Sequence, residues 1–136
     1  MGPVQRTKVS LRFRGDTLNP DELTGLLGCA ATSSAAQGGT WVTPSGAERP
    51  AKTGWWHLQI EPADGCDFNL QIARLFEMLT PDCETWRDLS ARYGGNLFVG
   101  VFLGSSNEGL SVDPGMAAAI GERGLQLQLD IYGRDD

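Results

Sequence analysis

Three segments of this chain repeat with a period of two, and that repeat constrains the fold more than any other feature. In Lys8 to Arg14, KVSLRFR, Val9, Leu11 and Phe13 alternate with Lys8, Ser10, Arg12 and Arg14. Successive side chains of a strand point to opposite faces, so this pattern specifies a strand with one buried face and one polar face. In GWWHLQIEP, Trp56, Leu58 and Ile60 fall on one face, and Trp55, His57, Gln59 and Glu61 on the other, with Pro62 as the stop. The C-terminal LQLQLDIY sends Leu125, Leu127, Leu129 and Ile131 inward and Gln126, Gln128, Asp130 and Tyr132 outward. NLFVGVFLG is apolar on both sides: Leu97, Val99, Val101 and Leu103 form one face, and Phe98, Gly100 and Phe102 the other. That is the signature of a central strand.

Between these strands the spacing turns helical. LNPDELTGLLG sets Asn19 as an N-cap, Pro20 at the first helical position, and Asp21 and Glu22 in the first turn, with Leu23, Leu26 and Leu27 on one face and Gly28 as the stop. Phe68, Ile72, Leu75, Phe76 and Leu79 form an amphipathic stripe. Thr80-Pro81-Asp82 restarts a helix with Cys83, Trp86, Leu89 and Tyr93 on its apolar face, ended by Gly94-Gly95. Asp113-Pro114 opens the last helix, with Met116, Ala117 and Ile120 inward and Gly124 at its end. Residues 29–53 are small, polar and rich in Gly, Ser and Pro. They are expected to form a long flexible loop with a short edge strand at Trp41-Val42-Thr43 and a turn at TPSG.

The expected fold is α+β: residues 1–136 as one domain, a two-layer sandwich with a mostly antiparallel or mixed sheet and helices on one face. A ferredoxin-like arrangement fits the order of elements, and both ends of the chain share a strand, Asn/Asp-Pro helix, glycine, strand plan.

Composition bounds the function. The chain carries 11 Lys+Arg and 17 Asp+Glu, a net charge of −6 with pI near 4.7. Nucleic-acid binding relies on cations that neutralise phosphates, so neither nucleic acid nor an anionic membrane is expected as a partner. No apolar run reaches the roughly 20 residues of a membrane span. The first twenty residues hold no apolar leader-like stretch. Cys29, Cys66 and Cys83 are scattered, and one histidine leaves too few soft ligands for a standard zinc site. No metal or cofactor is expected, and the thiols read as reduced structural residues of a cytoplasmic protein. Ser105 and Ser106 lie in GSSNEG, which is not a GxSxG elbow, and no second histidine is present to serve as a base. Cys29 follows a helix C-terminus, which disfavours its thiolate.

The alternating N-terminal strand followed by LNPDELTGLLG, the small-residue loop with GG leading to a tryptophan strand, and the C-terminal GLQLQLDIYG together resemble the bacterial DUF4279 family of small uncharacterised proteins. The resemblance covers nearly the whole chain. It implies an α+β fold in a bacterial cytosol and supplies no catalytic residues.

The outward-pointing residues of the four strands supply the candidate site. They are Arg12 and Arg14; Trp55, His57 and Gln59; Phe98 and Phe102; and Gln128, Asp130 and Tyr132. Aromatic rings interleaved with hydrogen-bonding groups suit a ligand groove or a partner surface. The leading expectation is a non-catalytic binding or protein-interaction module, whose partner is a protein, a small ligand, or a second copy in a homodimer. One alternative is an immunity- or inhibitor-type protein that binds a basic partner. The other is a small enzyme centred on His57 with Arg12, in which Asp130 or Glu61 orients the imidazole.

Overall fold

The computed structural model describes residues 2–60, 63–64 and 67–133. Glu61, Pro62 and Cys66, which carried a possible orienting carboxylate, the second strand's stop and one thiol, lie outside the described residues. In chain order the elements are β1 (Gly2–Pro3), β2 (Arg6–Gly15), α1 (Pro20–Leu27), β3 (Ser33–Ala35), β4 (Thr40–Val42), β5 (Glu48–Pro50) and β6 (Gly54–Gln59). They continue as β7 (Ala63–Asp64), α2 (Phe68–Glu77), α3 (Cys83–Tyr93), β8 (Asn96–Phe102), β9 (Glu108–Gly109), α4 (Pro114–Glu122) and β10 (Gln126–Tyr132).

The main sheet runs β10-β8-β2-β6-β3, with β7 beside the start of β2. β10 and β8 are parallel, and every other pair in this sheet is antiparallel. A parallel neighbour needs a crossover, and α4 provides it between β8 and β10. This is the expected α+β class with a mixed sheet. It departs from a ferredoxin-like arrangement in one respect: β8 and β10 are direct neighbours, with no strand inserted between them.

The core lies between the sheet and the helices. Thr7, Val9, Leu11 and Phe13 of β2, Trp56 and Leu58 of β6, and Leu97, Val99 and Val101 of β8 are buried there. Leu23 and Leu27 of α1, Ile72 and Leu75 of α2, and Trp86 and Leu89 of α3 cover them. Phe13 packs edge-on to Trp56 with ring centroids 6.2 Å apart, and Trp86 meets Phe76 at 5.7 Å. Each large ring buries roughly 150–250 Å², a few kcal/mol apiece at about 25 cal/mol per Å². Both buried indoles find acceptors: Trp56 donates to Thr24 Oγ1 at 3.1 Å and Trp86 to the Thr80 carbonyl at 2.7 Å. Buried Thr7 and Gln71 satisfy each other across the sheet–helix layer.

Helix starts follow local chemistry. Asn19 caps α1 by accepting from the Asp21 amide at 3.0 Å, and Gly28 takes the left-handed conformation that ends it. The third helix starts at Cys83, two residues after Pro81: its cap is Asp82, which accepts from the Glu84 amide, and Pro81 lies outside the helix.

Three expectations fail on particular residues. Leu26 is exposed, because only Leu23 and Leu27 of α1 face the sheet. Ala117 is exposed while Ala119 packs against the core, so α4 sits rotated from its expected face. Leu129 and Ile131 are 42% and 59% exposed, because β10 is an edge strand that no helix fully covers.

The expected flexible loop at 29–53 contains three strands. β3 pairs with β6 at the sheet edge, and β4 pairs with β5 as a hairpin closed by the turn at Thr43 to Ala47. Its residues are too small and polar to show a period, but they satisfy their backbone groups by pairing.

Gly54 pairs with Gly15 where the β2–β6 ribbon begins. A Cβ at Gly54 would stand 2.8 Å from the Gly15 carbonyl oxygen and 3.0 Å from that of Leu18. Backbone atoms cannot move aside cheaply, so Gly54→Ala is expected to lower unfolding free energy by about 1–3 kcal/mol. Urea denaturation against the parent chain measures this, and an unchanged midpoint would refute the close approach.

Candidate functional site

The sheet's second face is not covered by helices, and the strand registers lay it out as a grid. One row across the sheet reads Ser33, His57, Arg12, Asn96 and Gln126. The row on one side is Ala35, Trp55 and Arg14. On the other side come Gln59, Ser10, Phe98 and Gln128, then Lys8, Gly100 and Asp130, then Arg6, Phe102 and Tyr132. All ten residues expected at the site therefore share one face. They do not form one constellation. Asp130 and His57 are separated by β8 and β2, and Asp130 instead accepts a 2.6 Å hydrogen bond from the Tyr132 hydroxyl. The expected orienting role of Asp130 toward His57 is therefore not present.

Three cavities adjoin along this face. The central one, about 390 Å³, is lined by Arg12, Arg14, Trp55, His57, Asn96 and Phe98, with Gln128 at its β10 side. A second, about 210 Å³, shares Arg12 and Phe98 and extends over Lys8, Gly100, Phe102 and Tyr132. A third, about 360 Å³, shares Arg14 and Trp55 and reaches Trp41, Arg49 and Lys52 of the hairpin region. Gly100 helps keep the floor open, since a Cβ there would approach the Phe102 ring to 3.3 Å.

The rings are held in place. The Trp55 indole donates to Ser33 Oγ at 3.1 Å, and Trp41 meets Trp55 edge-on with centroids 5.1 Å apart. Trp55 is thus flanked by β3 and the β4–β5 hairpin. Phe102 stacks on Tyr132 at 4.8 Å, nearly parallel, and the Arg6 guanidinium sits 5.2 Å from the same ring. Arg12 lies 4.0 Å over Phe98 and donates from Nε to Ser10 Oγ at 3.1 Å. Such a cation–π contact contributes about 0.5–2 kcal/mol and fixes the guanidinium plane.

The charge of this face is opposite in sign to the chain's net charge. Four of the 11 Lys and Arg, namely Arg6, Lys8, Arg12 and Arg14, are the outward side chains of β2, and Arg49 and Lys52 line the adjoining cavity. Asp130 is the one carboxylate among the outward positions of β2, β6, β8 and β10. Among the described residues the ion pairs are those of Arg92 with Glu22 and Asp88, so neither Arg12 nor Arg14 has a carboxylate partner there. Residues two apart on a strand are about 6.6 Å apart, so mutual repulsion is roughly 0.6–2.5 kcal/mol for effective dielectrics of 80 to 20.

His57 sits in that field. Its burial, and then the charges of Arg12 and Arg14, lower its pKa from 6.5 to about 4. The imidazole is therefore neutral at pH 7, when it can donate or accept a hydrogen bond but carries no proton to give as an imidazolium acid. Asn96 contributes a second polar feature. Its Nδ2 donates to Gln128 Oε1 at 2.8 Å, while its buried Oδ1 has no hydrogen-bond partner among the described residues.

Sequence reasoning missed Ser33, Trp41, Asn96, Arg49 and Lys52 as site residues. Asn96 was within reach, since stepping back two residues from Phe98 stays on the same face. Ser33 and Trp41 carried no such signal, because the segment that holds them has no period. Ser105 and Ser106 lie outside this face's cavities, and Ser105 donates to Glu108. No helix among the described residues is long and apolar enough to cross a membrane.

A family model described as a domain of unknown function, DUF4279, matches residues 5–134. No curated protein and no solved structure matches the chain.

The depressed His57 pKa has a measurable consequence. Unfolded, the imidazole protonates near 6.5; folded, it protonates near 4. Between these values the unfolded chain holds the extra proton, so stability from this group is full above about pH 6.5, falls as pH drops, and levels off below about 4. An NMR titration of the single histidine is expected to show a midpoint near 4, and the His57→Gln variant should lose this part of the pH dependence. A midpoint near 6.5 in the folded protein would contradict the field described here.

Proposed function

The chain belongs to the DUF4279 family, and from the geometry of its outer sheet face we propose that it is a non-catalytic binding module whose groove takes a small ligand. One observation carries this reading: side chains from β2, β6 and β8, with Gln128 of β10, line a single central cavity of about 390 Å³. That volume falls within the usual range of ligand pockets, roughly 300–1,000 Å³. The rings that line it are braced by Ser33, Trp41 and Ser10-held Arg12, so the groove keeps its shape without a ligand. A preformed site loses less entropy on binding than one that must be assembled.

Catalysis centred on His57 has less support. With its pKa lowered to about 4 the imidazole is a weak base and no imidazolium acid at pH 7, and no described carboxylate hydrogen-bonds to it. A basic partner, the alternative drawn from net charge, would meet Arg12 and Arg14 on this face.

A fragment screen followed by amide NMR of the labelled chain tests the groove. Fragment hits are expected to shift the Trp55 indole and the amides of β2 and β8. Gln128 is exposed on the edge strand and borders the cavity. Gln128→Trp should fill the opening and remove those shifts while leaving the rest of the spectrum unchanged. Hits that map elsewhere, or that survive this substitution, would rule the groove out.

A further inference from the structure

We propose that the groove recognises an organic anion, a small molecule with a carboxylate or phosphate group seated between Arg12 and Arg14 and a planar part against Trp55. This rests on the reading of the outer face as a ligand groove and adds the ligand's chemistry.

The first support is the state of Arg12. Its guanidinium is fixed by the Phe98 ring at 4.0 Å and by Ser10 at 3.1 Å, lines the central cavity, and has no carboxylate within salt-bridge reach among the described residues. An arginine held in a fixed plane keeps its remaining donors for an acceptor that presents two oxygens. Arg14 lies two residues on along the same face and has no described carboxylate partner either. An anion between them replaces their mutual repulsion with two attractions.

The second support is Asn96. Its buried Oδ1 lacks a hydrogen-bond partner among the described residues, while its residue lines the same cavity. An unpaired buried acceptor is costly, and a turn of the Asn96 carboxamide toward the cavity would let a donor on the ligand satisfy it.

The third support is the condition of the rings. Phe98 is under Arg12, and Phe102 is engaged by both Tyr132 and Arg6. A platform for stacking successive nucleic-acid bases needs open rings. Here the cations are presented and two of the rings serve as their supports. Trp55, which lines both the central and the hairpin cavities, is the ring placed to meet a planar group. The observations therefore favour a single small anion over a nucleic-acid strand.

The test uses the full chain with phenyl phosphate, benzoate, benzyl alcohol and benzylamine as probes, followed by the Trp55 indole and His57 imidazole NMR signals. Phenyl phosphate or benzoate is expected to shift both signals saturably, with benzylamine at least roughly tenfold weaker. Arg12→Gln should weaken the anionic probe roughly 10- to 100-fold, the loss of one charge-assisted hydrogen-bonding group. Arg12→Lys, which keeps the charge but not the fork, is expected to fall between the two. Arg87→Gln, on exposed α3, should change nothing. The His57 midpoint should rise from about 4 when phenyl phosphate is bound. Arg12 and Arg14 are the charged groups beside it, and β3 and β8 offer it only neutral Ser33 and Asn96 across the row. Inorganic phosphate alone separates a bare oxyanion site from one that needs the planar part: equal affinity for it would overturn the role given to Trp55. If benzyl alcohol or benzylamine binds at these signals as well as the anions do, the anion class is wrong and the groove stands. If none of the probes moves either signal, both the anion class and the groove fall together.

Discussion

The register of β2 holds this structure together. At ten residues it is the longest strand, paired with β8 on one side and with β6 and β7 on the other, and its two faces have opposite chemistry. Thr7, Val9, Leu11 and Phe13 enter the core, where three of them are fully buried. Arg6, Lys8, Arg12 and Arg14 stand on the other face. A slip by one residue would exchange the two sets and drive four cations into an apolar layer. The pairing of β2 with β6 and β8 is thereby fixed, and with it the rows that bring His57, Arg12 and Asn96 together.

Because the inward face of β2 is committed to packing, its outward face is free to concentrate charge. Six helical carboxylates, Asp21, Glu22, Glu77, Glu84, Asp88 and Glu122, lie on the opposite layer, and the helix caps Asp67, Asp82 and Asp113 add to them. The acids serve helix starts and helix surfaces, where negative charge is favourable near the first turn. Four of the cations, Arg6, Lys8, Arg12 and Arg14, stand on the sheet face, where Phe102 and Phe98 of β8 support Arg6 and Arg12, while Arg74, Arg87 and Arg92 stand on the helices. Capping draws carboxylates to the helix layer, and guanidinium–ring stacking holds Arg6 and Arg12 on the sheet face, so that face is the more basic of the two.

Much of this was legible in the chain itself. Strict alternation in β2, β6 and β10 assigned Arg12, Trp55, His57 and Gln128 to one face before any pairing was known. The sequence period says which face a residue takes, but not which strand lies beside it. Alternation therefore puts Asp130 on the same face as His57 but is blind to β8 and β2, which lie between them. The exposure of Leu129 and Ile131 has the same origin, since alternation cannot tell an edge from a centre. Residues 29–53 were the least legible. Their strands are three residues long and are held by backbone pairing and a tryptophan contact, interactions that leave no mark on polarity. Net charge says nothing about this face, since a sum over the chain erases how its charges are distributed.

That distribution gives the molecule a permanent electric asymmetry with a kinetic effect. A small anion at long range meets a body of charge −6 and is repelled; close to the sheet it meets Arg12 and Arg14 and is drawn in. Screening acts first on the far field, because the Debye length shrinks from about 30 Å at 0.01 M salt to about 8 Å at 0.15 M. Moderate salt therefore strips away the outer barrier before it weakens the inner well. For such a body, encounter with an anion quickens as ionic strength rises toward the physiological value, the reverse of the usual rule for oppositely charged partners.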